Sequence, residues 1–421
     1  MKKPIKTIAS GLILLFTVVV PALGMAYGAS SMAAGVLLVA VLHGLLFTAS
    51  SALHKSRHYF SKIIFFVTVV LAVVLMQGVI SLLVNASSNK SRFLLSIGLL
   101  IIYLLGASFL ALLVKGLPKY MGNFAVKLVF YVLMLSGFAT VLGYRAFGNP
   151  SGVGFFNENS HYALSFGPFL LYLVVLSNLR TKFILLCIGF IIALSLQSLT
   201  LLVSVIVIVF FVLRLRYLLP ITIIIISVLV TFDALDFNYY TSRLDLFEAT
   251  TNLSALSYTN GWERAYLNLI DFDGFGIGFQ QLGFVGSEGE SRESLRMYNV
   301  EDVNLYDGSF VASKFISEFG VVAILLLLRY LIYCAKYVVW LHNVSLNGKE
   351  AVDCRTVFFL SCFVMFFTDL FFRGTGYFSS SGFLFVASLV WIKLTPIFQI
   401  SLSNKVSNDS LVINKCLVIT K

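Results

Sequence analysis

Residues 144–162, YRAFGNPSGVGFFNENSHY, decide how the chain is read. They interrupt a strongly apolar sequence and hold Glu158, the first carboxylate of the chain; no acid precedes it, and none follows before Asp233. Arg145, Asn149, Pro150, Asn157, Asn159 and His161 surround it, a cluster of ionisable and hydrogen-bonding groups between two long hydrophobic runs. Such groups are costly in apolar surroundings and persist where they are used. The stretch therefore reads as a polar loop joining two membrane helices and as part of a functional site.

Composition sets the class. Hydrophobic residues make up 59%, charged residues 12%, and the mean hydropathy is +0.95; a soluble domain carries roughly 25% charged residues. The expected fold class is an all-α polytopic membrane protein. A net charge of +11 raises nucleic acid as a partner, but the basic residues stand as short pairs at the ends of apolar runs, which is how topology signals look. No nucleic-acid partner is expected. Cys187, Cys334, Cys354, Cys362 and Cys416 have neither disulfide-framework nor metal-ligand spacing, so no metal or cofactor is expected. The first thirty residues resemble a signal peptide, yet read better as an uncleaved first transmembrane helix because further spans follow at once.

At ~20 mostly apolar residues per crossing, about twelve helices are expected, near 7–27, 31–52, 63–84, 93–114, 124–143, 162–179, 183–198, 199–213, 217–235, 310–335, 356–372 and 379–394. The chain thus divides into helices 1–5 (1–143), a polar loop (144–162), helices 6–9 (162–235), a large loop (236–309), helices 10–12 (310–394) and a tail (395–421). Every second connection is rich in Lys and Arg, from Lys2, Lys3 and Lys6 through Lys55, Lys115, Arg180, Arg214 and Lys336 to Lys393. The alternation puts both termini in the cytoplasm and the two polar loops together on the outer side. Lys90, Arg92, Arg145, a few loop cations and Arg373 are the exceptions. The large loop is too long for a passive connector and keeps aromatic residues that can pack, Trp262 among them, so a small folded lid or platform is expected.

Within that loop, Asn260 followed by Glu263 reads as a capping box opening a helix over about 261–270. Arg264 then falls in the first turn, where free N–H groups favour an anion, and a phosphate site or a pair with Asp271 are equal readings. The string DGFGIGFQQLG, 273–283, with Gln280, is not a dinucleotide fingerprint; its glycines allow close backbone approach to a bulky ligand or the membrane surface. Lys314 and Glu318 read first as a local i, i+4 ion pair, with a substrate role second. Arg373 reads equally as a phosphate contact or an interfacial anchor. His43 reads as a core residue, and His161 as an orienter or proton acceptor beside Glu158. Arg329 reads as a cytoplasmic-face anchor or the mark of a bent helix.

The strings GFFNENSHYAL, YTNGWERAYLN, GFGIGFQQLG and NLYDGSFVASKFISEFG, across about 144–325, resemble bacterial O-antigen polymerases of the O-antigen ligase and polymerase group. The resemblance implies a GT-C-type glycosyltransferase of the bacterial inner membrane, with its active face in the periplasm. Such an enzyme transfers a growing glycan from undecaprenyl diphosphate to the next lipid-linked repeat unit in surface lipopolysaccharide biosynthesis. Implied partners are the undecaprenyl-diphosphate-linked oligosaccharide, the lipid bilayer, a chain-length regulator and a flippase. Arg145, Arg264 and Arg243 match outward arginines that hold the diphosphate. Glu158 would orient or deprotonate the acceptor with a raised pKa, Asn157 and Asn159 would bind sugar hydroxyls, and His161, Trp262, Gln280, Glu318 and Arg373 would line the substrate. Ligases of the group carry a loop histidine that this loop lacks; a transporter or flippase for the same lipids is the alternative from another class.

Overall fold

A computed structural model describes residues 2–27, 32–49, 59–84, 88–147, 152–213, 252–300, 304–347 and 352–395. These form thirteen helices: α1 (Lys2–Ala26), α2 (Ala33–Ala49), α3 (Phe60–Val84), α4 (Lys90–Gly116), α5 (Lys119–Phe147), α6 (Asn159–Leu176), α7 (Leu179–Ser195), α8 (Leu199–Val212), α9 (Leu253–Asp271), α10 (Glu290–Met297), α11 (Val311–Asn347), α12 (Cys354–Phe371) and α13 (Ser380–Leu394). Seven are long and apolar enough to cross a membrane, and α2, α8 and α13 are shorter apolar helices. The chain is an all-helical, polytopic membrane protein. The expected ninth span at 217–235, the tail from 396 and Arg243 lie outside the described residues.

The helices begin where a short polar side chain can satisfy the free N–H groups of a first turn. Asn89 accepts from Arg92 N (2.9 Å), Asn178 from Thr181 N (2.9 Å), Ser198 from Leu201 N (3.3 Å), Asp353 from Arg355 N (3.1 Å) and Ser379 from Gly382 N (3.0 Å). Ser198 divides the apolar stretch around Gln197 into α7 and α8, with Gln197 in the left-handed region at φ 50°. Lipid is as apolar as a leucine side chain, so van der Waals fit and polar contacts, rather than removal of water, hold such helices together. α6 and α12 form the central pair, with Phe166, Phe169, Tyr172, Phe359 and Leu360 fully buried. His43 is one of the interior polar contacts, taken up by Thr17 Oγ1 (3.2 Å) and Val39 O (2.7 Å).

The two ends of the bundle differ chemically. At one, the basic end, cations close helix C-termini, where carbonyls lack partners and the dipole favours positive charge. Lys115 donates to Leu394 O (2.8 Å), Lys182 to Ser345 O (2.8 Å), and Arg355 to Lys115 O (3.0 Å) and Leu117 O (2.6 Å). The 152–158 loop and the 304–309 and 373–379 segments meet at the other. There Asn157 Nδ2 donates to Met25 O (3.1 Å), Asn159 Nδ2 to Leu196 O (2.7 Å) and Gly374 N to Ser309 O (3.0 Å).

α11 is two helices in one line. Gly320, at φ 57° and ψ −133°, breaks it into Val311–Phe319 and Val321–Asn347. Arg329 lies nine residues past the break, exposed and over the Tyr333 ring (5.6 Å), so it does not mark the bend.

Candidate functional site

A broken helix leaves backbone groups that need partners, and the glycine-rich segment supplies them. Ile277 N donates to Ser317 O (2.9 Å), Gly278 N to Glu318 O (3.0 Å) and Val321 N to Gly274 O (2.8 Å). From the other side Gln77 Nε2 donates to Glu318 O (3.2 Å) and to Phe275 O, and Ser81 Oγ to Ile277 O. Asn89 and Gln281 exchange two bonds, at 2.7 and 3.2 Å. The close approach predicted for this loop is therefore made to the backbone of α11: a Cβ at Gly276, itself at φ 77°, would lie 2.7 Å from Gly320 N.

The inserted loop and the broken helix frame residues 304–307, a strap touched by four cations. Arg373 Nη1 donates to Asn304 Oδ1 (3.4 Å), Arg264 Nη1 to Leu305 O (2.9 Å) and Lys314 Nζ to Tyr306 O (2.6 Å). The Arg92 guanidinium lies over the rings of Tyr306 (4.8 Å) and Phe284 (4.9 Å). Gln280 Oε1 accepts from both Arg92 (3.4 Å) and Lys314 (3.4 Å). Carboxylates do not keep pace with these charges. Lys314 faces Asp307 at 3.9 Å and Arg373 pairs with Glu158, while Arg92 and Arg264 have no carboxylate at ion-pair distance among the described residues. The arrangement concentrates donors and positive potential at one end of the bundle, which is what a phosphate-bearing ligand requires.

Lys314 and Glu318 are both fully buried, at 1% and 0% exposure, which replaces the expected surface pair. Glu318 Oε1 accepts from Leu282 N (3.4 Å), and the Lys314 ammonium lies over the Tyr377 ring (5.0 Å). Both face the protein interior.

Glu158 sits at the edge of this region, bonded to Arg373 Nη2 (2.9 Å) and Ser160 Oγ (2.8 Å), with His161 Nε2 3.7 Å away. Burial pushes its pKa up, but the Arg373 guanidinium, His161 and the Ser160 hydroxyl outweigh burial and hold the carboxyl at about 2, against an ordinary 4.5. The raised value expected from the sequence is corrected: Glu158 is a clamp on Arg373 and a weak base. A carboxyl lowered on folding stabilises the fold above its unfolded pKa, and that contribution is lost as pH falls through the folded one. The melting-temperature difference between the wild type and Glu158→Gln should stay constant from pH 8 to about 4.5 and close only towards about 2. A difference that closes between pH 7 and 5 would contradict the clamp.

Other expectations change as well. α9 starts at Leu253, not 261, because Asn252 accepts from Ser254 N (3.0 Å) and Ala255 N (3.4 Å) and Leu253, Ala255 and Leu256 extend the apolar pattern upstream. Arg264 is therefore mid-helix and away from the helix-terminal N–H groups; it reaches Leu305 O rather than Asp271, whose carboxylate is taken by Ser287. Burial, then Arg292, lower its pKa to about 10 against the opposing pull of Glu288 and Glu318, so it stays cationic at neutral pH. Asn157 and Asn159 are spent on the backbone carbonyls of Met25 and Leu196. His161 is buried at 5% exposure, which removes it from contact with an acceptor. Trp262 is partly exposed and packs in a tilted arrangement against Phe310 (4.9 Å between ring centroids), outside the cation cluster. Arg145 lies in the last turn of α5, and its side chain is outside the described residues.

Gln280, Glu318, Arg373 and Arg264 are brought together. Arg92, Lys314, Tyr306 and Asp307 complete the cluster, and the sequence did not single out Arg92 or Tyr306. The signal was present: Arg92 and Arg373 are exceptions to the basic alternation. No family profile, curated protein or solved structure matches the chain.

Proposed function

We propose that the chain is an O-antigen-type polymerase, transferring a growing glycan from undecaprenyl diphosphate to the next lipid-linked repeat unit at the outer face of a bacterial inner membrane. The observation that carries the reading is the convergence of Arg92, Arg264, Lys314 and Arg373 on residues 304–307 with too few carboxylates to neutralise them. The basic alternation supports the outward direction of this end. In the reaction, an acceptor hydroxyl oxygen attacks the anomeric carbon, the C–O bond to the diphosphate breaks, and the diphosphate leaves with the electron pair. Arg92 and Arg373, the two half-buried cations of the cluster, stabilise that developing charge, and Lys314 holds the strap beneath them through Tyr306 O. Asp307, half-exposed at the edge of the cluster, replaces Glu158 as the carboxylate that orients the acceptor hydroxyl and takes its proton.

The broken helix α11 is the feature that favours a transporter, since discontinuous helices hold transported substrates near mid-membrane. Its position argues for the transferase. The break packs against the 274–278 loop at one end of the bundle, and the cations gather on the strap beside it rather than along the spanning helices. A glycan ladder from a deletion strain separates the readings. Deletion should leave single repeat units on the lipid core, and Arg92→Ala or Arg373→Ala, present in membranes at wild-type level, should cut chain elongation by roughly 10²-fold. Loss of the single unit on deletion supports transport instead; full ladders from both variants would remove the strap from the diphosphate site.

A further inference from the structure

Helix α9 has one face against the site and one that none of the described residues covers. Asn260, Arg264, Ala265 and Asn268 are buried. Opposite them Trp262 (39% exposed), Tyr266 (64%) and Ile270 (52%) follow at four-residue spacing, and Phe275 (60%) continues the line beyond the helix. Four-residue steps keep side chains on one face, so this is a continuous aromatic and aliphatic ledge.

Two observations say what covers it. First, the ledge joins a lipid-facing surface: Gly274 O accepts from Val321 N (2.8 Å), and at Val321 (49%), Val322 (40%) and Leu325 (62%) the spanning helix α11 begins to expose apolar side chains. Val311–Phe319, before the break, has no exposed residue. Second, the depth fits. Gly274 and Gly276 pack on Val321 and Gly320, so Phe275 stands level with the first apolar side chains that α11 exposes, in the layer where aromatic side chains gather. α9 runs beside the first part of α11, from Gly261 next to Gly308 and Ser313 to Gly274 next to Val321, which lifts Trp262 roughly 13 Å above the end of the helix.

We infer that Tyr266–Phe275 is sunk into the headgroup–acyl boundary of the bilayer, a membrane-docked ledge from which α9 rises until Trp262 reaches water. Exposed Asp271 and Asp273 share that segment, so docking proceeds through apolar area rather than attraction to anionic lipid. Lys314 lies six residues, roughly 9 Å, above Gly320 along the same helix. The inference rests on the spanning helices and stands apart from the proposed transferase activity.

Spin labels on single cysteines test it. Phe275→Cys, Ile270→Cys, Tyr266→Cys and Trp262→Cys would be made in a Cys187→Ser, Cys416→Ser background, removing the exposed thiol of Cys187 and that of the tail. The protein would be reconstituted in phosphatidylcholine vesicles, and collision of each label with oxygen and with a water-soluble nickel chelate compared. The expected oxygen preference at Phe275 and Ile270 exceeds that at Trp262 by roughly fivefold or more, with Tyr266 between. A smaller difference, or the reverse order, overturns the inference. All four side chains are exposed, so cysteine is tolerated there; should Phe275→Cys fail to insert, Ile270 against Trp262 gives the same comparison.

Discussion

Lys314→Met is expected to lower the melting temperature of the detergent-solubilised protein by on the order of 10 °C, corresponding to ~3–5 kcal/mol. The ammonium is buried, bonded to Tyr306 O (2.6 Å), and the positive charge nearest Asp307 (3.9 Å), with Glu318 one helical turn further on. Methionine fills much of the volume, so the loss comes from stranding buried Glu318 without a compensating cation, while half-exposed Asp307 stays solvated. Removing the second charge should then help. Lys314→Met with Glu318→Gln is expected to be more stable than Lys314→Met alone, with a coupling of ~1–3 kcal/mol, whereas independent sites would add. A double variant whose loss equals the sum of the singles would show that Glu318 does not sense Lys314. The strap at 304–307 would then owe its position to backbone contacts.

The sequence announces the helices because each needs a long apolar run and a polar start, and those are local properties. It also separates the two ends of the bundle, since cations that close helix C-termini recur at every second connection. What it conceals is the pairing of distant backbone. Nothing in DGFGIGFQQLG indicates that Gln77 and Ser81 on α3 will bond to it, or that it will fill the gap at Gly320. Lys314 and Glu318 were visible as an i, i+4 pair, but their burial depends on the strap and the inserted loop, which lie more than twenty residues apart in the chain. Asn260 with Glu263 shows a different limit: a capping pattern was genuine in composition, yet Asn252 offered a better start and the helix extended through it. For the candidate site, the most informative local signal was departure from a rule. Arg92 and Arg373 break the basic alternation, and both converge on 304–307.

Gly320→Ala should be the most damaging single methyl group in the chain. Its φ of 57° with ψ −133° is a conformation that residues with a Cβ rarely adopt, and holding alanine there costs ~1–3 kcal/mol. The added carbon would also press on the Gly274 carbonyl and approach Phe275 C to 2.9 Å. Alanine has an alternative that glycine resists, which is to continue the helix, since it is the best helix former. A straightened α11 would claim the carbonyls of Ser317 and Glu318 for its own ladder and evict the 274–278 loop. Each buried donor or acceptor left unpaired then costs a further ~1–3 kcal/mol, and three such bonds join loop and helix. Together the terms approach the whole stability of a typical fold, ~5–15 kcal/mol. The expected result is a protein depleted from membranes on an immunoblot, with the remainder eluting as aggregate on size exclusion. Gly276→Ala, which meets Gly320 N at 2.7 Å but leaves the helix break in place, should insert and melt at an intermediate temperature. If Gly320→Ala inserts and melts within a degree or two of the wild type, α11 tolerates a continuous helix. The inserted loop could then not be what holds Lys314 and the strap in register.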